Sequence, residues 1–170
     1  MVAIVAMGAA YGISKATKPV FRATVKLAAG ASLTASGNAS NYIALTSGGL
    51  LNQFASDLST RSMAAKVSEA LKLDMPPEKL QGEIKAVPST QDLTIRVDVE
   101  DTDPNTAKLV ANKLADLYVQ QKQAEATKAA AVLGGQIDTV LVSVQDPAVT
   151  PQRPILPNTR VNVAAAGILG

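Results

Sequence analysis

The chain has 170 residues, 47% of them apolar, with 16 Lys and Arg against 14 Asp and Glu, which suits one folded domain with a core and argues against disorder. It holds neither cysteine nor histidine, so disulfides, thiol nucleophiles, zinc centres and the commonest general base are all excluded. Charge is close to balanced without any long basic run, and Phe21, Phe54, Tyr11, Tyr42 and Tyr118 lie outside basic clusters, which disfavours nucleic-acid binding.

Met1 to Ile13, "MVAIVAMGAAYGI", is uncharged and is followed by Ser14, Lys15 and Lys18. As a helix it covers roughly 20 Å, less than the ~30 Å of a bilayer's hydrocarbon core. We expect the end of a membrane-spanning helix. A signal peptide would need a positive segment before the apolar run; a buried terminal helix is the plainer alternative.

After Pro19 the pattern alternates, with Phe21, Ala23, Val25 and Leu27 on one face and Arg22, Thr24 and Lys26 on the other. This is the period of a half-buried strand. Ala29 to Ser40 is small, polar and glycine-bearing, and reads as a loop. Its Asn38-Ala39-Ser40 fits a glycosylation sequon, a pattern short enough for chance to supply.

From about residue 41 to 73 the spacing is helical, carried by Phe54, Leu58, Ala65, Val67 and Leu71, with a break expected near Gly48-Gly49 and hence two helices. Met75-Pro76-Pro77-Glu78 starts a short helix, because proline suits the first helical position, and Leu80 should reach the core. Ile84 to Val87, a turn over residues 89–92, and Leu93 to Val99 predict a strand pair. In the second strand Leu93, Ile95, Val97 and Val99 should face in, and Thr94, Arg96 and Asp98 out.

Glu100, Asp101 and Asp103 invite a cation-site reading, but Asp103-Pro104 also forms an ordinary helix start, with Asp as N-cap and Pro at N1. The capping reading is preferred. The helix that follows places Ala107, Val110, Ala111, Leu114, Leu117 and Tyr118 on one side as far as about Val119. Beyond it, "QQKQAEATKAAA" is polar or small all round and either projects into solvent or meets a neighbouring subunit. Gly134-Gly135 should end the helix, with a last strand over Ile137 to Val144.

Pro151, Pro154 and Pro157 then recur at every third position, a spacing that favours an extended, stiff spacer, before the uncharged run Val161 to Gly170 that begins beyond Arg160. That run is again too short to span a bilayer and reads as the start of a second membrane helix. The expected organisation is 1–18 as the end of a first transmembrane helix and its junction, 19–147 as the main domain, 148–160 as the spacer and 161–170 as the second span's beginning. The fold class expected is α+β: a small mixed sheet of about four strands packed with helices. No Gly-rich phosphate loop, nucleophile elbow or paired-carboxylate signature is present, so an enzyme is not expected and no cofactor or metal is implied.

Taken in order, these elements resemble the chain-length-determinant (Wzz-type) family of polysaccharide co-polymerases, which includes the transmembrane modulators of bacterial tyrosine kinases. Three stretches carry the likeness: the strand entry at Pro19, Phe21, Ala23 and Leu27; the Asp103-Pro104 helix with Ala107, Ala111, Asn112 and Leu114; and the spacer Pro151, Pro154, Pro157 and Asn158. Leu156 stands where the family favours serine, and Phe21 where it favours tyrosine. The room from Pro104 to Leu133 allows about 45 Å of helix, which fits a short-form member.

The resemblance implies a non-catalytic, membrane-anchored protein of the bacterial cytoplasmic membrane with its main domain extracytoplasmic. It would assemble into homo-oligomeric rings or domes that regulate the chain length or export of a surface polysaccharide of capsule, exopolysaccharide or O-antigen type. Its implied partners are membrane lipid, a glycan polymerase, lipid-linked polysaccharide and a cytoplasmic tyrosine kinase. Kinase coupling does not carry over to this sequence, which shows neither a Walker lysine motif nor a tyrosine cluster. Lys15, Lys18, Arg22, Arg153 and Arg160 would form a basic collar near the membrane. Such a collar either contacts lipid or glycan phosphate or anchors the spans by interfacial snorkelling. Two other classes compete: a structural subunit of an envelope filament or pilus-like assembly, and a periplasmic adaptor of an export machine.

Overall fold

Alternation along β1 (Phe21–Ala31) turns Ala23, Val25, Leu27 and Ala29 to one side, where none is more than 4% exposed. Apolar burial at every second residue is what fixes a strand's face. A computed structural model of the chain describes residues 17–31, 48–132 and 140–157. The two terminal stubs, the sequon and the Gly134-Gly135 break lie outside the described residues, as do Lys15, Asn158 and Arg160.

The two helices expected after the loop are α1 (Gly49–Leu58) and α2 (Arg61–Leu71). α1 begins from Gly48, whose φ of 80° is left-handed backbone, and a Cβ there would lie 3.1 Å from Thr90 Cγ2. Only glycine meets both conditions without strain. α1 buries Leu51, Phe54, Ala55 and Leu58; α2 buries Met63, Ala64 and Val67 and is capped by Thr60, whose hydroxyl accepts from the Met63 amide at 3.3 Å. Ala65 and Leu71, expected in the apolar stripe, are only half-buried. α3 (Pro77–Glu83) carries proline at its start and sets Leu80 in the core at 1% exposure.

β2 (Ile84–Ser89) and β3 (Thr94–Asp101) form the expected hairpin, with Ile84 opposite Val99 and Ala86 opposite Val97. The long helix α4 (Pro104–Val132) and β4 (Val140–Asp146) complete the described elements. The sheet order is β2-β3-β1-β4 and every neighbouring pair is antiparallel, so the expected mixed sheet is corrected to an antiparallel one within an α+β fold. The reason is topological. β3 and β4 run in the same direction, joined through α4, but β1 lies between them, so no parallel pair forms.

The helices share one face of this sheet: α4 packs on β1, β3 and β4, and α1 on β2 and β3. The opposite face carries Lys85, Arg96, Asp98, Glu100, Arg22, Thr24 and Lys26. Thr94 and Asp98 sit on that outward face as expected, yet they are only 3% and 4% exposed. Thr24 donates its hydroxyl to Asp98 at 2.7 Å and the Arg96 guanidinium stands 3.4 Å away, so the polar groups cover one another. Buried polar atoms need such partners.

α4 buries Ala107, Val110, Ala111, Leu114, Ala115 and Tyr118, and no residue beyond Tyr118 is fully buried. At about 1.5 Å per residue its last 14 residues, 119–132, run on for roughly 21 Å, the nearer of them, Gln121 and Lys122, still meeting α2 and α1. Among the described residues no helix is long and apolar enough to cross a membrane.

Candidate functional site

The residues singled out by sequence converge at one end of the sheet, where β1 starts, β3 stops and α4 begins. Pro19 enters there, Phe21 stands opposite Asp101, and Ala23 and Leu27 run up into the core. The chain leaves β3 through Asp101, whose carboxylate accepts the Asp103 amide at 2.7 Å, and turns at once into α4.

Asp103 acts as the helix cap. Its carboxylate accepts the Thr106 amide at 3.0 Å and the Thr106 hydroxyl at 2.7 Å, bonds that hold its pKa below the usual carboxylate value, and Pro104 occupies the first helical position. The capping reading thus accounts for this carboxylate. Among the described residues no group of three acidic side chains is placed to hold a metal ion.

Asn112 shows what a polar residue is doing amid the apolar side of α4. Its amide nitrogen donates to the Ala148 carbonyl at 3.0 Å, and its amide oxygen accepts the Ala148 N–H at 2.8 Å. Both backbone polar groups of one residue are satisfied by one side chain, just past β4. Ala148 is 3% exposed, so this junction is packed as well as bonded. Two helical turns nearer the base, the Thr150 hydroxyl approaches Asn105 Oδ1 at 3.5 Å.

From there the spacer passes Pro151 and Pro154 with bends at 152–153 and 155, so it follows the body instead of standing as a straight rod. It then pairs with the residue before β1. Val20 N–H donates to the Leu156 carbonyl at 3.0 Å, and the Ile155 N–H donates to the Val20 carbonyl at 2.7 Å. This bridge sets Pro19 and Pro157 side by side, so the segments flanking the domain at its two ends emerge from one base.

The basic collar is only partly assembled in the described residues. Lys18 and Arg153 are exposed, whereas Arg22 is committed across the strand pair to Glu100, with Nε 3.0 Å from Oε1. Carboxylates share this end: Glu100, Asp101, Asp103 and Glu83, the last of which sits at the end of α3 beside Ile84. Burial, and then Asp101, push the Glu83 pKa up against the pull of Lys79. The base is therefore of mixed sign, which sequence order concealed because Glu83 and Glu100 meet only through the β2–β3 pairing.

A second cluster went unread in the sequence. A shallow cleft of about 200 Å³ lies between the α1–α2 turn and α4, lined by Asp57, Thr60, Ser62, Lys66, Gln121 and Lys122 among others. Lys122 Nζ stands 5.4 Å from the Phe54 ring centre and 5.5 Å from that of Tyr118, and it pairs with Asp57 at 3.4 Å and Glu125 at 3.0 Å. Lys66 donates to Gln121, which donates in turn to Glu125. Glu125 is held below its usual pKa first by Lys122 and then by Gln121. Both carboxylates of the cleft are partnered by Lys122. The i, i+4, i+7 spacing of Tyr118, Lys122 and Glu125 was visible in the sequence, but Phe54 and Asp57 reach them only by tertiary packing. Neither a protein-family description nor a curated protein matches this chain.

Proposed function

We propose that this chain is the extracytoplasmic part of a non-catalytic, membrane-anchored polysaccharide co-polymerase, which sets the chain length or export of a bacterial surface glycan. The observation that carries this reading is the Val20–Leu156 bridge. It draws the two flanks of the domain together at one base, as a protein anchored through both ends requires, and α4 starts from that base and runs away from it. The Asn112 clamp supports the same reading, because it ties the proline spacer to α4 and fixes its height relative to the sheet. Lys18 and Arg153 then face the membrane surface, where they anchor or contact lipid phosphate.

In this role the protein performs no bond-making step. It arranges copies of itself around a polymerase and its lipid-linked product. The test is whether the full-length gene product stays in the membrane pellet through a carbonate wash and leaves detergent extraction as a homo-oligomer of several copies. Release by carbonate, or recovery in detergent-resistant filaments, would reject the anchored reading in favour of a filament subunit.

A further inference from the structure

The sheet ends in two edges whose side chains complement each other. β4, "VLVSVQD", contains one charge, Asp146, and β2, "IKAVPS", contains one charge, Lys85. No described strand bonds to the outer edge of either. Free backbone N–H and C=O groups along an edge are a template for a further strand. Leu141 and Val144 on β4 are 48% and 37% exposed, and neither Lys85 nor Asp146 belongs to an ion pair among the described residues.

Direction selects the partner. β2 runs the same way as β1, and β4 runs opposite to it. The β4 edge of one copy can therefore meet the β2 edge of the next in antiparallel pairing while both copies stay upright. An antiparallel β4–β4 pair would invert one copy, which chains anchored in one membrane cannot do; on this point the inference rests on the function proposed above.

Register agrees as well. β1 meets β4 across a bulge, with Lys26 opposite Asp146, Leu27 opposite Val144, Ala28 opposite Ser143 and Gly30 opposite Leu141. β2 repeats that alternation, since Lys85, Val87 and Ser89 share the open face and Ala86 and Pro88 the helix-bearing face. Setting Lys85 opposite Asp146 with the same bulge puts Ala86 on Val144, Val87 on Ser143 and Ser89 on Leu141, each matched to its own face. The single charges of the two edges then meet, Leu141 lies diagonal to Val87, and Pro88 removes one donor from the ladder.

We propose that β4 of one copy adds to β2 of the next copy of this chain, with Asp146 beside Lys85, so that the sheets continue head to tail around a ring. A head-to-tail contact of this kind closes into a ring when the rotation between copies permits.

These 170 residues contain no cysteine, so the full-length protein carrying Lys85→Cys with Asp146→Cys, and serine at any cysteine outside them, has thiols only at the proposed contact. Within one copy these positions lie on opposite edges, about 14 Å apart across three strand spacings, too far for a disulfide. Oxidation in the membrane should give the double variant a ladder of covalent oligomers up to the ring's copy number, while each single variant runs as monomer. The charge reversals Lys85→Asp and Asp146→Lys should each lower the oligomeric fraction, and their combination should restore it. A double variant that stays monomeric on denaturing gels while its native mass is oligomeric overturns this pairing and leaves the co-polymerase reading standing. Dimers from Asp146→Cys alone, or charge reversals without effect on native mass, also overturn it. A protein monomeric in detergent refutes both.

Discussion

Replacing Asn112 by Ala removes the side chain that satisfies both backbone polar groups of Ala148. Ala148 is 3% exposed, so the freed N–H and C=O recover little hydration. An unpaired buried group costs about 1–3 kcal/mol, and with partial access of water to the half-buried site we expect about 2–4 kcal/mol for the pair. Urea unfolding of the parent and the variant, followed by far-UV circular dichroism, measures this loss. Native-state hydrogen exchange localises it: the Ala148 amide should exchange on the order of 10- to 100-fold faster, with the β1 core amides changed only through the global loss. Asn112→Asp separates bonding from size. Its carboxylate still accepts from the Ala148 N–H but opposes the Ala148 carbonyl, whereas the protonated acid can donate to it. The folded-state pKa of that Asp is therefore raised, so its stabilising contribution is present below the unfolded value of about 3.9 and is lost as pH rises through the folded value. An Asn112→Ala variant within about 0.5 kcal/mol of the parent, with Ala148 exchange unchanged, would refute the clamp.

Three further outcomes follow from the same reasoning. Lys122→Met keeps the aliphatic stem over Phe54 and Tyr118 but strips the counter-charge from Asp57 and Glu125, and should cost about 1–2 kcal/mol at neutral pH by thermal unfolding. The depressed Glu125 pKa contributes stability above its unfolded value and loses it as pH falls through the folded one, so the variant should also show a shallower acid loss; an unchanged acid limb contradicts the pairing. Tyr118→Phe deletes a buried hydroxyl that has no partner among the described residues and should leave stability unchanged or raise it by up to about 1 kcal/mol, so a clear loss would show the hydroxyl to be bonded. Glu83→Gln removes a carboxylate whose pKa is raised by burial and by Asp101; charging it costs stability as pH rises through the folded value. The variant should match or exceed the parent at pH 7 by about 0.5 kcal/mol and lose that advantage near pH 4, as urea midpoints across pH would show.

Local rules made most of the fold legible. Alternation marked β1 and β3, proline marked the starts of α3 and α4, and the end of the apolar stripe at Val119 marked where α4 leaves the core. The sheet's all-antiparallel order was not legible, because it depends on β1 entering between β3 and β4, a choice made by long-range packing. Thr94 and Asp98 were placed on the right face but not at the right depth, since Asp98 is covered by Thr24 and Arg96, and Thr94 lies between Ala28 and Ser89 on the neighbouring strands. At the base, the spacing of the prolines identified a spacer, but its bends and its pairing with Val20 follow from contacts across more than a hundred residues. The mixed charge of that end was hidden for the same reason.

The most direct test of the account is the length distribution of the surface polysaccharide made by cells lacking this protein, compared with the same cells given it back. The account predicts that loss broadens or shifts the preferred chain length while sugar incorporation continues, and that restoring the protein restores the original distribution. An unchanged distribution in cells that make the polymer would contradict the proposed function.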